Sequence, residues 1–491
     1  MLCCLVLWLA QKAGADPLEA LRAELRASDK WTRAQAVEAL ARVGSEPAWE
    51  LVLGALADPR GEVADTAQLA LAGLATPRAC EPLGGELGLR AQEPLVRARA
   101  AEVLGRLAVF DGRLVERALG DDSPEVRRMA AWSVERQVAA GRVPPERAVE
   151  LVPRLVRAAR NERDELVRVR ALAALRVLDP LAARGPLDEA TRARSALLRG
   201  AALRLLEPSF TAEEALQRLR PGVVDASFTV RRLALEALAG LGTKGAAQLL
   251  VERLGKEGEE RLLVRSVELL QGLSGKKHRR DLRPWNDWLA GLPADWRAPP
   301  QRAVPSAEGV ERSSAALAGL PIVSKRVAIL IDLSGSIWNV RPDGKTKKDV
   351  VDAKLREALE ALPADTRFNL IPYTGKPIPW KERLVPATAA TVRTAAAWFE
   401  ARNENGSGNF WDAAQLALED PEVDTLLVLF DGAPTGGHRH RLELIAPLFL
   451  EQNLGRGVTL DLVLVDASKK LQRLWGELAT ATGGRSVSVS F

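Results

Sequence analysis

The chain has 491 residues, more than one hydrophobic core organises, so two or three domains are expected. Apolar residues make up 47% and charged residues 27%, a balance that excludes wholesale disorder. The 69 basic and 64 acidic residues nearly cancel to a net +5 and are interspersed, which argues against a nucleic-acid-binding stripe.

The N-terminus "MLCCLVLWLAQKAGADP" carries an apolar run from Leu2 to Ala10. That run is too short to span a bilayer, which takes about 20 residues. With "AGA" at 13–15 it fits a short signal peptide over residues 1–15, implying export to a periplasm or the outside. No Lys or Arg precedes the run, so the alternative is a first helix on a chain that stays cytoplasmic. Cys3, Cys4 and Cys80 offer no disulfide framework and no metal-type cysteine spacing; Cys80 reads as a small core residue.

Residues 16–293 repeat. An apolar residue, then Ala four further on, then an apolar residue four beyond that, recurs from Val63, Val96, Val126, Val167, Leu198 and Val230, with a weaker copy from Thr32. Adjacent anchors lie from 30 residues (Val96 to Val126) to 41 residues (Val126 to Val167) apart. Offsets of four and eight put the three side chains on one helical face, and the small Ala lets a neighbouring helix come close. Turn and N-cap residues cluster before many anchors, as in "ADPRGEV" and "GDDSPEV". Each unit is therefore a helical hairpin that buries its stripe only by stacking on the next. This pattern resembles HEAT repeats of a short type, which implies an α-solenoid that binds another protein. A degenerate copy lies near "EERLLVRSVELLQGLSG", and "RPWNDWLAGLPADW" reads as a Trp-rich cap, with an aromatic ligand cage as the alternative. The basic run "KKHRR" at 276–280 reads as an inter-helix loop rather than an anion patch.

Residues 294–324 are rich in Pro, Ala and Ser and read as a linker, with a short helix around Ser314–Leu320. From 325 to 491 apolar strands ("RVAILID", "TRFNLIPY", "DTLLVLFD", "VTLDLVLVD", "GGRSVSVSF") alternate with amphipathic helices. Strands apolar throughout mean a parallel sheet covered on both faces, an α/β doubly wound fold. Ligands bind such sheets beyond the carboxyl ends of the strands, at the switch point in strand order. Two strands end in Asp there, at Asp332 and Asp431, and Ser334 and Ser336 follow Asp332 in "DLSGS". Two carboxylates and two hydroxyls form a hard oxygen set, suited to Mg²⁺, Mn²⁺ or Ca²⁺ rather than zinc.

"DLSGS", "SGNFWDAAQLAL" (407–418) and "FDGAPTGG" (430–437), in this order, resemble the three motifs of a von Willebrand factor A domain. The resemblance implies a Rossmann-like fold and a metal-ion-dependent adhesion site (MIDAS). Ser334 and Ser336 would then coordinate a divalent ion, Mg²⁺ first of all, and Asp332 and Asp431 would hold it largely through water. A partner protein's Asp or Glu would take the open position. Gly408 stands where the family offers a Thr hydroxyl, and Ser407 is the residue placed to replace it. His438 and His440, in "GGHRHR", read as the solvent-facing start of the next helix, with a transition-metal role as the alternative.

"DGKT" at 343–346 lacks the upstream Gly of a phosphate-binding loop, because Asn339 stands there. No nucleophile elbow is present. The expectation is a non-enzymatic interaction or scaffold protein without a transmembrane segment, its solenoid docking one protein and its metal site gripping another. An intracellular adaptor for a separate ATPase is the alternative.

Overall fold

The computed structural model describes residues 16–299, 313 and 315–490. The expected signal segment 1–15 and residues 300–312 and 314 of the expected linker therefore lie outside the described residues. Among the described residues no helix is long and apolar enough to cross a membrane.

The first part is helical, and the repeat stripe is its core. Ala36, Ala67, Ala100, Ala130, Ala171, Ala202 and Ala234, the small residues at the fourth position, are all fully buried. The stripe-bearing helices (Lys30–Val43, Gly61–Leu71, Pro94–Leu104, Pro124–Ala139, Glu165–Leu178, Ala196–Arg204, Phe228–Leu241) are mostly started by Ser or Asp caps or by a Pro in the first turn. A second periodic feature reinforces the stack. The Arg following five of the seven anchors (Arg33, Arg97, Arg127, Arg199 and Arg231) turns its guanidinium onto two carbonyls of the turn before its helix and a carboxylate of the next turn. Arg97 is typical: it donates to Ala91 O and Gln92 O, both 2.9 Å, and forks onto Asp121 at 2.7 and 2.9 Å. Arg33 with Asp58, Arg127 with Glu162 and Arg199 with Asp225 repeat it. Trp285, Trp288 and Trp296 form a chain of edge-to-face contacts, with Trp285 fully buried and edge-on to His278, so the Trp-rich segment is packed.

The second part is built on a six-stranded sheet. Two short strands, β1 (Ala316–Leu317) and β2 (Leu320–Pro321), precede it as an antiparallel hairpin. This replaces the short helix expected at Ser314–Leu320. Ala318 and Gly319 have positive φ, +47° and +87°, which turns the chain back, and Ala315, Leu317, Leu320 and Ile322 are buried in the core. The sheet holds β3 (Arg326–Asp332), β4 (Arg367–Tyr373), β5 (Val385–Pro386), β6 (Thr425–Phe430), β7 (Thr459–Val465) and β8 (Ser486–Val489), in the order β5-β4-β3-β6-β7-β8. All neighbours are parallel except β4 with β5. After β4 the chain returns to the far side of β3, so the switch point in strand order lies between β3 and β6.

One sheet face packs Val327, Ile329, Ile331, Phe368 and Leu370 against Val351, Leu355 and Leu359 of helix Lys347–Glu360 and Val392 and Phe399 of helix Ala389–Glu400. On the other, Phe410, Phe430 and Trp475 form an aromatic triad with centroids 4.8–6.0 Å apart. "DGKT" is a turn that ends in Thr346, the N-cap of helix Lys347–Glu360.

The chain divides into two compact units, one running to Glu189 with Gly436–Glu451, the other holding Ala190–Thr435 and Gln452–Phe491. In the first, segment 436–451 is held by repeat helices. Arg439 is buried among Asp65, Gln68 and Glu102, and Asp65 also accepts the backbone N–H groups of His440 and Arg441 at 2.8 and 3.0 Å. Glu451 lies between Arg128 (2.5 Å) and Arg170 (3.3 Å). In the second, the buried Arg232 reaches the Thr459 hydroxyl and the Thr482 carbonyl, and Arg261 lies 3.6 Å from Asp461. The repeats thus spend their buried arginines and acids on residues of their own chain.

Candidate functional site

Asp332 ends β3 and is 5% exposed. Its Oδ1 accepts the Ser334 N–H at 2.7 Å, which closes the turn that presents both serines. Ser334 forms a parallel bridge with Gly406. Ser336 lies in a single 3-10 turn, Gly335–Trp338, and its hydroxyl donates to Asp431 Oδ2 at 2.8 Å. The two serine Oγ atoms are 3.4 Å apart. Asp431 follows β6, and its Oδ1 accepts the Ala433 N–H at 3.0 Å. The loop beyond needs glycine: Gly432 has φ +85°, and its carbonyl is held by the buried Trp475 indole N–H at 2.7 Å. The four residues singled out at the switch point therefore meet at one rim, around a cavity of about 20 Å³ lined by Asp332, Ser336, Ile337, Lys347 and Asp431 among others. That volume admits one water or one small ion.

The electrostatics suit a cation. Among the described residues no Lys or Arg forms an ion pair with Asp332. Burial, with a smaller contribution from the Asp431 charge, pushes its carboxyl up to about 7. Lys347, at the cavity wall, is engaged with Asp466 at 2.5 Å. An opposing observation is that no group of three or more His, Cys, Asp or Glu gathers anywhere among the described residues. The set here is two carboxylates completed by hydroxyls, the donor chemistry of a hard cation.

The middle motif sits where its sequence order suggests, but it brings no hydroxyl of its own to Asp332. A Cβ on Gly408 would lie 2.7 Å from Asp332 Oδ2, so the carboxylate occupies the space a Thr would need. Gly408 N donates to Thr435 Oγ1 at 2.7 Å, and Thr435 N returns a bond to Gly408 O at 2.9 Å. Ser407 turns its Oγ toward Gly375, 3.5 Å from where a Cβ there would stand. Asn409 is committed as the N-cap of helix Phe410–Ala417, bonding Asp412 and the Gly375 carbonyl. Neither histidine begins a helix, and only His438 faces solvent. The helix starts at Leu442, the His438 backbone runs over Gly61, and His440 is buried with Nδ1 3.5 Å from Asp65 and its ring edge-on to Trp31. The competing force is the acidic pocket around Asp65, which binds "RHR" more strongly than water does.

Two buried polar positions escaped the sequence reading. Arg439 looked like one of many surface arginines, and only its buried acidic pocket distinguishes it. Tyr373, level with Asp332 on the adjacent strand, read as an ordinary strand residue. Its one sequence signal is that it ends a strand at the ligand-binding edge.

Residues 18–105 and 183–271 match the HEAT-repeat family. Among curated proteins, the chain is 28% identical over 151 residues to Inter alpha-trypsin inhibitor, heavy chain 4 of Mus musculus, covering 28% of this chain and 15% of that protein. It is 35% identical over 95 residues to Inter-alpha-trypsin inhibitor heavy chain H3 of Bos taurus (19% and 10%) and 28% identical over 109 residues to von Willebrand factor A domain-containing protein 3B of Homo sapiens (22% and 8%). The matches thus span no more than 15% of these relatives. With the repeat match, they support a chain of N-terminal HEAT repeats and a von Willebrand factor A type domain, and the six-stranded, mostly parallel sheet is the fold such a domain has. Repeats and such a domain together support a protein-interaction or scaffold role.

Proposed function

We propose that the chain is a non-enzymatic interaction protein whose A-type domain holds a divalent cation, Mg²⁺ by preference, at Asp332, Ser334, Ser336 and Asp431, and through it a partner protein's Asp or Glu. The observation that carries this reading is Asp332: a buried carboxylate without a counter-cation, beside a second carboxylate and a cavity of ionic size. A bound Mg²⁺ would supply the open coordination position that a partner carboxylate fills. The chain's own residues do the rest. Ser334 N–H aims the Asp332 carboxylate, Ser336 aims Asp431, and Trp475 fixes the Gly432 turn behind it. Ser407 joins this set by rotating from Gly375 toward the rim. In this reading the repeats seat their own chain with buried Arg and Asp, and offer exposed apolar side chains such as Val149 and Leu181 to a second protein. The protein is exported, its mature start falling near Asp16.

The test is calorimetric titration of Mg²⁺ into wild type and Asp332→Ala, with a partner pull-down with and without EDTA. The expectation is binding by wild type alone and loss of a partner in EDTA. Equal binding by both proteins, or by neither, would take the metal out of the function.

A further inference from the structure

Tyr373 ends β4 and is the only tyrosine in the chain. β4 runs parallel to β3 with Tyr373 opposite Asp332, and residues opposite each other on neighbouring strands project from the same sheet face. The alternate positions Phe368 and Leu370 fill the core on the other face. Tyr373 shares with Asp332 the side on which the Gly408 backbone approaches the carboxylate. Its own backbone is tied to the site, since Tyr373 O accepts the Leu333 N–H at 2.8 Å.

The phenol is fully buried, and its hydroxyl has no hydrogen-bond partner among the described residues. Leaving such a group bare is costly, so a buried hydroxyl of this kind calls for a ligand or an ordered water. Burial and the charges of Asp332 and Asp431 hold the phenol well above its ordinary range, so it stays a hydrogen-bond donor at every physiological pH. At the same carboxylate, Gly408 brings no side chain, and both its backbone groups are taken by Thr435. The rim therefore lacks one oxygen, and one buried hydroxyl lacks a partner.

We propose that Tyr373 is a positioning residue of the cation site, its O–H anchoring a buried water in the coordination position that Gly408 leaves without a hydroxyl. The proposal rests on the reading of Asp332, Ser334, Ser336 and Asp431 as that site. A buried water makes about three hydrogen bonds, and the phenol, the Asp332 carboxylate and the cation provide that number. The arrangement accounts for Gly408 and for the orphaned hydroxyl together.

The test is Mg²⁺ titration of the full chain, wild type against Tyr373→Phe, by calorimetry. In parallel, [13Cζ]tyrosine-labelled wild type is followed by NMR, where the single tyrosine gives a single resonance. The expected result is about tenfold weaker Mg²⁺ binding by Tyr373→Phe, the effect of losing an outer-shell partner, with unchanged circular dichroism. In wild type the tyrosine resonance shifts and saturates with the calorimetric curve. Equal affinities with an unmoved resonance would overturn the role of Tyr373 and leave the four-residue site standing. No Mg²⁺ binding by wild type would overturn the site and the Tyr373 role with it.

Discussion

Replacing Asp332 with Asn removes a charge that the fold holds at a cost. The folded carboxyl titrates at about 7 against an ordinary 3.8, a gap of roughly 3 units. At about 1.4 kcal/mol per unit, ionising Asp332 in the folded, cation-free protein costs on the order of 4 kcal/mol. The sign follows from which state holds the proton more tightly. Here it is the folded state, so the stabilisation is complete below about pH 4, falls as pH rises, and is gone above pH 7. Asn keeps an oxygen for the Ser334 N–H and has no charge to bury. In EDTA, Asp332→Asn should therefore match wild type near pH 4, lead it only slightly at pH 5, and unfold later than wild type at pH 8, by on the order of 10 °C for a unit of this size. Excess Mg²⁺ at pH 8 should close the gap by stabilising wild type alone. Thermal unfolding followed by near-ultraviolet circular dichroism reads both effects. A gap between the two proteins that is the same at pH 5 and pH 8 in EDTA would refute the burial argument.

Three other substitutions test the neighbouring structure. Arg97→Ala strips a largely buried Asp121 carboxylate and the Ala91 and Gln92 carbonyls of their donor, and should cost about 2–4 kcal/mol in urea unfolding. Arg22→Ala, whose pairing with Glu19 is exposed, should leave the urea transition where it was, and equal effects would count against the Arg ladder as a stabilising device. Gly408→Ala places a Cβ 2.7 Å from Asp332 Oδ2 and should push the carboxylate off the Ser334 N–H, weakening Mg²⁺ binding at least several-fold by calorimetry. Unchanged affinity would mean that the carboxylate has room to move.

Much of this architecture was legible in one dimension because it is periodic or local. Anchors four and eight residues apart dictate one buried helical face whatever that face meets, so the stripe through Ala67, Ala130 and Ala234 could be read directly. Strands apolar throughout declare a sheet covered on both faces, and Asp at the ends of β3 and β6 marks the switch point. The "DLSGS" turn sets the Ser334–Asp332 bond by itself, over two residues.

The remainder depends on residues far apart in sequence that meet only when the chain is folded. Whether "RHR" at 439–441 faces water or protein depends on Asp65, 374 residues away from Arg439. Residues 315–323 look like linker because they are mostly small and carry Gly319 and Pro321, yet a tight hairpin turns their apolar side chains into the core. The Arg after most anchors, such as Arg97, Arg127 and Arg199, reads as surface charge until the next repeat brings a carboxylate to it. At the site, sequence order placed the middle motif beside Asp332. Only the tertiary structure shows the Gly408 backbone packed so closely on that carboxylate that a Cβ has no room, and a tyrosine hydroxyl from the adjacent strand buried without a partner. Spacing determines which face a residue takes, but the distance between two faces is set by packing, and packing decides which polar groups share a cavity.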